Sequence, residues 1–378
     1  VASKDTASGE ILKVDYRIEA ARGGSWLAGS SLSADKSVSA RDIWGRDPLT
    51  GVIAHSLYGP TRKPTPEMLR GIDVLVFDLQ DIGCRSYTYI STMGRCMEAA
   101  GENKIPFVVL DRPNPVGGLR IEGPSVEPGW RSFVGEFPIP YVHGLTVGEL
   151  ARMVNGRHWI STPCDLTVVQ MHGWRRGMTW KDTGLRWIPS SPNIPRGSSP
   201  LYYIATGLVG ELSGPEIGIP GSRPFESIAA RWLNAASFTA YLRGLDTPGV
   251  EFRPLREGAV QGASLTISPE ARTNLTGLGI YMLAEMNRQI RPDMFSRTSV
   301  SKLDIFYKVC GGTFIQAQVR GGTSPESPSR RCRRGASRAG ARSSTEIRRG
   351  SVPAAAVPSP RRRWRGWRAR RAAPRPSA

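Results

Sequence analysis

The sequence predicts an α/β fold: a Rossmann-like, mostly parallel sheet domain, followed by a smaller α+β domain and a disordered basic tail. Three observations predict it. Two apolar, β-branched runs, Ile72–Leu79 and Phe107–Leu110, are continuous rather than alternating, as in strands buried on both faces of a parallel sheet. Each run ends in polar residues: Asp78, Gln80 and Asp81 at the first, Asp111, Arg112 and Asn114 at the second. The composition then changes twice, at a Gly/Pro connector near Pro215 and at an Arg-rich stretch beyond Gly321. In open α/β sheets ligands bind beyond the carboxyl ends of the strands, which makes those polar residues a candidate site.

Taken in order, residues 1–50 show little periodicity and much Ser and Gly, and read as an irregular start to the α/β domain. The regular pattern runs from 51 to 214. The strand at 72–79 leads to a helix over Ser86–Ala100, where Ile90, Met93 and Met97 recur at helical spacing. A strand at 106–110 is followed by a long Gly/Pro loop to Leu145. Thr146 with Glu149 three residues on forms a capping box for a helix over Val147–Asn155. A strand at Leu166–Val169 and a helix at Leu201–Leu212 complete this domain. The second domain, 215–320, carries a helix at Ser237–Arg243, a strand at Ala263–Ser268 and a helix at Leu275–Gln289. A cleft between two such domains is a natural ligand pocket.

The net charge of +19 belongs to the tail. Between Pro328 and Ala378 stand 16 arginines, no lysine and one acid, Glu346, so the rest of the chain is only mildly basic. Residues 321–378, mostly Arg, Ala, Pro, Ser and Gly, cannot bury a core. Three readings of the tail stand open: an anion- or nucleic-acid-binding arm using Trp364 and Trp367, a solvated extension, or an out-of-frame translation. Salt-sensitive nucleic-acid binding is the least favoured of the partners considered. The five cysteines, Cys84, Cys96, Cys164, Cys310 and Cys332, form neither a CxxC pair nor a metal-ligand spacing with the four histidines, and read as buried small hydrophobes. No apolar run is long enough to span a membrane, and no basic-then-apolar leader is visible. No GxGxxG or Walker sequence follows a strand, so a nucleotide-dependent enzyme is disfavoured.

Several long motifs occur together: SLYGPTRKPTPEML (56–69), DVLVFDLQDIGCRSYTYISTM (73–93), VVLDRPNPVGG (108–118), IEGP (121–124), SFVGEFPIPYVHGLTVGELA (132–151) and PSSPNIP (189–195). In these the chain resembles the exo-acting β-N-acetylmuramidases, bacterial hexosaminidases that trim N-acetylmuramic acid from peptidoglycan fragments. The resemblance runs from about Gly51 to Val319 and implies a cofactor-free glycoside hydrolase of cell-wall turnover, acting on peptidoglycan-derived glycans outside the cytoplasm. One departure matters. The family places a Glu-His-Gly motif after an N-terminal strand, its glutamate being the acid most often proposed, and no such motif occurs in this sequence. The resemblance therefore also allows an inactive glycan-binding relative.

Glycoside hydrolysis needs a carboxylic acid to protonate the leaving oxygen and a second group as nucleophile or base. Asp78 and Asp81 are the candidate pair, with His143, in its PYVHG loop, a third catalytic candidate; the alternatives are a helix-capping Asp81, an ion-paired Asp78 and a structural histidine. Gln80, Arg85, Tyr87 and Tyr89 are expected to line the pocket. Asp111, Arg112 and Asn114 are held by Pro113 and Pro115, and Arg112 suits the lactyl carboxylate of muramic acid equally as well as an internal ion pair. Glu122 either caps a turn or faces sugar, and Asn193 is a fixed amide or a rigid turn. His55, His158 and His172 read as structural, while Glu211 and Glu216 are spare carboxylates flanking the connector. No metal site is expected.

Overall fold

The computed structural model describes residues 60–219 and 221–321, together with 26–28, 45–46 and 53–57. All of these belong to one compact unit. The expectations for the remainder of 1–50 and for the tail beyond Gly321 lie outside the described residues. Three short strands come first: β1 (Trp26–Ala28), β2 (Gly45–Arg46) and β3 (Ile53–Ser56). They form a small sheet in which β3 is central, parallel to β1 and antiparallel to β2.

The site-bearing layer follows: β4 (Leu75–Phe77), α1 (Tyr89–Glu102), β5 (Phe107–Leu110), α2 (Val147–Gly156) and β6 (Leu166–Val169). The three strands are all parallel, in the order β4-β5-β6, with Leu75 opposite Phe107 and Phe107 opposite Leu166. The carboxyl ends of β4 and β5 therefore lie side by side. Thr146 caps α2 with both halves of the capping box made, so the Thr-x-x-Glu spacing did specify this helix start. β4 is shorter than the apolar run that encodes it, and the expectation of two buried faces is corrected. Leu75 and Phe77 pack with α1 and α2 in one core, whereas Val74 and Val76 are 44 % and 43 % exposed. Both described helices lie on the same side of the sheet, which leaves the alternate residues of β4 outside.

A short 3-10 turn at Trp180–Thr183 precedes α3 (Ser199–Gly210). The second layer comprises β7 (Ser227–Ala230), α4 (Ala235–Arg243), β8 (Val250–Glu257), β9 (Val260–Ile267), α5 (Leu275–Arg288), α6 (Met294–Arg297), α7 (Val300–Cys310) and α8 (Phe314–Arg320). Its sheet is antiparallel, in the order β7-β9-β8. β8 escaped sequence reading because VEFRPLRE holds a proline and four charges; as an edge strand it tolerates both. Helix α3 crosses α5 at close range: a Cβ on Gly279 would come within 2.6 Å of the Ala205 carbonyl oxygen, so only glycine fits there.

The core beneath α3, α5 and the antiparallel sheet also takes in Ile82, Cys84, Val116, Tyr141 and Val142. These belong to the loops beyond the ends of β4 and β5. The strand-end loops are thus gripped by the second core while they emerge from the first, and the polar side chains they carry are held on both sides.

Candidate functional site

The loop after β4 begins with Asp78, whose Oδ1 accepts from Arg112 Nη2 at 2.6 Å and Nε at 2.7 Å. Both side chains keep about a third of their surface exposed, 31 % and 35 %. The pair joins adjacent strand ends, and one edge of the guanidinium is taken up by Asp78. Gln80 Nε2 donates to the Asp81 carbonyl at 2.7 Å and to the Pro113 carbonyl at 2.9 Å, tying the two loops together. Asn114 performs the same work one layer deeper, donating to the Leu145 carbonyl and accepting from the Val116 N–H. Its amide packs onto Gly83, which has φ +77° and no room for a Cβ, since Asn114 Oδ1 would lie 2.3 Å away. Any other residue at 83 would be strained and would displace Asn114.

Asp81 and His143 face each other behind this layer, both only 4 % exposed. Asp81 Oδ2 accepts from the Gly83 N–H at 2.7 Å and stands 3.8 Å from His143 Nε2. His143 Nδ1 accepts from the Leu145 N–H at 3.1 Å. A ring nitrogen that accepts carries no proton, so the neutral imidazole has its N–H at Nε2, directed at Asp81. His143 Nε2 thus faces the carboxylate but stands beyond hydrogen-bond distance from it. Three buried atoms in this neighbourhood, Gln80 Oε1, Asp81 Oδ1 and His143 Nε2, have no hydrogen-bond partner among the described residues. Leaving such an atom unpaired costs about 1–3 kcal/mol, and three of them close together make this the candidate place for chemistry.

Other expected residues serve the frame. Asp111 accepts from Thr146 Oγ1 at 2.9 Å, from the Gly148 N–H at 2.8 Å and from its neighbour's N–H at Arg112. An anion at the start of α2 is favoured by the helix dipole. Burial nonetheless raises its carboxyl above the ordinary range, against those hydrogen bonds. Tyr87 and Tyr89 stack edge to face with centroids 4.7 Å apart, and their hydroxyls bond Ser190 at Oγ and at the carbonyl. Burial pushes the Tyr87 phenol well up, so it acts as a donor. Asn193 is half-buried, its side chain without a partner among the described residues.

The structure differs from expectation for Arg85 and takes the capping alternative for Glu122; the two hold the layers together. The Arg85 side chain is completely buried and donates to the carbonyls of Pro124, Ile139 and Val309, the last at 2.9 Å on α7. Every direction around it is protein, so it does not present its fork to a ligand. Glu122, 5 % exposed, accepts from the Thr276 N–H at 2.9 Å, in the first turn of α5, and pairs with Arg120. It is a cap, supplied across the layers, for a helix far along the chain. Glu122→Ala should remove about 2–3 kcal/mol of stability, because a helix N–H and the Arg120 charge both lose their partner; urea denaturation is the measurement, and a loss under about 0.5 kcal/mol would contradict the assignment.

His55 lies in β3, and His158 and His172 are exposed. Cys84, Cys96, Cys164 and Cys310 are free and buried, with the Cys84 and Cys164 thiols pushed up to about 11 and Cys96 to about 12 by desolvation, so none serves as a thiolate at neutral pH. Sequence reading singled out neither Ser190, which lies in the PSSPNIP motif and gathers the two tyrosines, nor Tyr203, whose hydroxyl lies 3.0 Å from Ser86 Oγ. Glu211 proves to be a carboxyl raised by burial, with Lys302 opposing. Raised in the folded state, it takes up a proton on folding and contributes stability that is lost as pH climbs above 4.5 through its folded value. Thermal melts should show the parent chain losing ground to Glu211→Gln between acid and neutral pH; a constant difference would contradict that burial.

The family models for exo-β-N-acetylmuramidase NamZ match along most of the chain, the N-terminal model over residues 31–198 and the C-terminal model over 201–338. The chain belongs to this family. The peptidoglycan β-N-acetylmuramidase NamZ of Bacillus subtilis (strain 168) is 42 % identical to it over 289 residues, covering 74 % of this chain and 68 % of that relative. Two crystal structures of DUF1343 family proteins from Bacteroides fragilis NCTC 9343 share the fold. One has a TM-score of 0.70 at 46 % identity, covering 73 % of this chain and 75 % of that one. The other has a TM-score of 0.60 at 28 % identity, covering 77 % and 78 %. The junction between the NamZ-family models falls at the start of α3, whose first turn leaves the site-bearing layer for the second core.

Proposed function

We propose that this chain is a glycosidase that releases N-acetylmuramic acid from the non-reducing end of peptidoglycan fragments, and that it works outside the cytoplasm. The observation that carries the reading to particular residues is the buried cluster of unpartnered polar atoms beyond the ends of β4 and β5. Asp81 is the proton carrier through its free Oδ1, with its carboxyl held by the Gly83 N–H at Oδ2 and faced by His143. Asp78, charged and paired to Arg112, faces the positive charge that develops at the sugar ring. The open edge of Arg112 takes the lactyl carboxylate, and Gln80, Asp111 and Asn114 act by holding the strand-end loops in register. Among the described residues no helix is long and apolar enough to cross a membrane. The test is release of the leaving group from a chromogenic β-N-acetylmuraminide and from the matching β-N-acetylglucosaminide. Turnover of the first in large excess supports the reading; equal turnover of both would contradict it.

A second reading rests on one feature, the lack of a Glu-His-Gly motif anywhere in the sequence. The pocket would then bind muramic acid without cleaving its glycosides. Calorimetric binding of N-acetylmuramic acid together with no release of the chromophore is the result that selects it.

A further inference from the structure

A cavity of about 470 Å³ opens between α1, the loop before Phe137 and the loop that leaves α2, and no residue of the candidate site lines it. Its charged walls are Arg95 and Glu98 on α1 and Arg131 and Glu136 on the loop, with Ser132 and Trp159 beside them. Glu98 and Glu136 are 9 % and 8 % exposed, so two carboxylates stand almost out of solvent. Such groups are tolerated only with partners. Here the partners are held off. Arg95 reaches both carboxylates, at 3.1 Å to Glu136 and 3.7 Å to Glu98, while Arg131 stands 3.4 Å from Glu136 and Lys63 3.4 Å from Glu98. A charge-assisted hydrogen bond ordinarily closes to about 2.7–2.9 Å. Among the described residues, Glu98 Oε2 and Glu136 Oε1 have only these long contacts, and each can still accept. Donors are spare as well. Arg131 gives Nε and Nη2 to Glu136 and Trp159, and its Nη1 bonds no described residue. Ser132 Oγ is buried without a hydrogen-bond partner among the described residues.

The cavity thus offers two carboxylate oxygens that can accept, two donors that are not used, and one apolar wall. That wall is the Trp159 ring, stacked on Phe137 with centroids 6.0 Å apart. An anion alone would meet the two carboxylates, and a cation alone would leave Arg131 and Ser132 idle. A ligand carrying an ammonium and a carboxylate together satisfies both halves. A purely structural network would draw its charges into contact, and it would have no use for a buried hydroxyl without a partner. We propose that this cavity is a binding site for a free α-amino acid with an apolar side chain. Its ammonium group sits on Glu98 and Glu136, its carboxylate takes Arg131 Nη1 and Ser132 Oγ, and its side chain lies against Trp159. Arg95 remains the bridge between the two carboxylates. The volume falls in the range of small-ligand pockets, roughly 300–1,000 Å³. The site shares no residue with the strand-end site, so it stands independently of the muramidase reading.

The experiment is titration of the full chain with leucine, N-acetylleucine and leucinamide, followed by ligand-observed NMR. The three share a side chain; the second lacks the ammonium charge and the third the carboxylate. Leucine should bind saturably, and each of the others at least about tenfold more weakly. Arg131→Gln should weaken leucine by about tenfold while leaving leucinamide unchanged. Ser132→Ala removes a hydroxyl that no described residue bonds, so it should melt with the parent and still bind leucine more weakly. That combination separates a ligand contact from a structural one and keeps the test valid if Arg131→Gln folds poorly. Arg112→Ala should leave leucine binding unchanged, which places the bound amino acid outside the strand-end site. The site is overturned by any of three results: no saturable leucine binding, equal binding of N-acetylleucine or leucinamide, or undiminished leucine binding in the folded Ser132 and Arg131 variants. Loss of leucine binding in Arg112→Ala alone would also overturn it, by assigning the ligand to the strand ends.

Discussion

Arg85→Ala should destabilise the protein by about 4 kcal/mol, among the largest losses any single substitution here can produce. Three carbonyls, those of Pro124, Ile139 and Val309, receive their hydrogen bonds from one guanidinium that solvent does not reach. Hydrogen bonds to a charged donor contribute about 1.5–3 kcal/mol each, and a carbonyl stranded in the interior carries its full desolvation penalty. Truncation also leaves a cavity the size of a long side chain at the join between the two cores. Arg85→Lys should recover only part of the loss, because an ammonium cannot span three carbonyls in the geometry of a fork. Equilibrium urea denaturation of the three chains gives the comparison. A loss below about 1 kcal/mol for the alanine variant would mean that the layers are held by apolar packing alone.

The second large effect is on turnover. Asp81→Asn should lower kcat on a β-N-acetylmuraminide by about 10²–10⁴-fold, the usual contribution of a positioned acid or base. The asparagine amide oxygen can still accept from the Gly83 N–H, which holds the present carboxylate at 2.7 Å. The fold is expected to survive, so the loss reports on the proton and not on the loop. His143→Ala should cost less, since the imidazole acts through Asp81 and its Nδ1 is committed to the Leu145 N–H. Rates for Asp81→Asn within twofold of the parent would remove this carboxyl from the chemistry.

Much of the site-bearing layer was legible because its signals are local. The Thr146–Glu149 spacing is a start signal complete in four residues, and β6 matches its apolar run residue for residue. Polar residues crowding the ends of two such runs likewise announced where strand ends would meet. Arg85 misled, and Glu122 stayed open between cap and sugar contact, for the opposite reason. Their partners, Val309 and Thr276, are 224 and 154 residues away, and no window of sequence distinguishes a fork that binds ligand from one that binds another layer. The exposed alternate residues of β4 were unreadable for a related reason: a continuous apolar run records what the strand tolerates, while helix placement decides which face is covered.

The central claim is that the ends of β4 and β5 recognise muramic acid through Arg112. Its most direct test is the ratio of affinities for N-acetylmuramic acid and N-acetylglucosamine, which differ in the lactyl carboxylate, measured by calorimetry before and after Arg112→Ala. A charge-assisted pair of about 2–3 kcal/mol corresponds to roughly 30- to 150-fold in affinity. The ratio should therefore fall by that factor in the variant, with N-acetylglucosamine binding little changed. An unchanged ratio would contradict the claim and leave Arg112 as the partner of Asp78 alone.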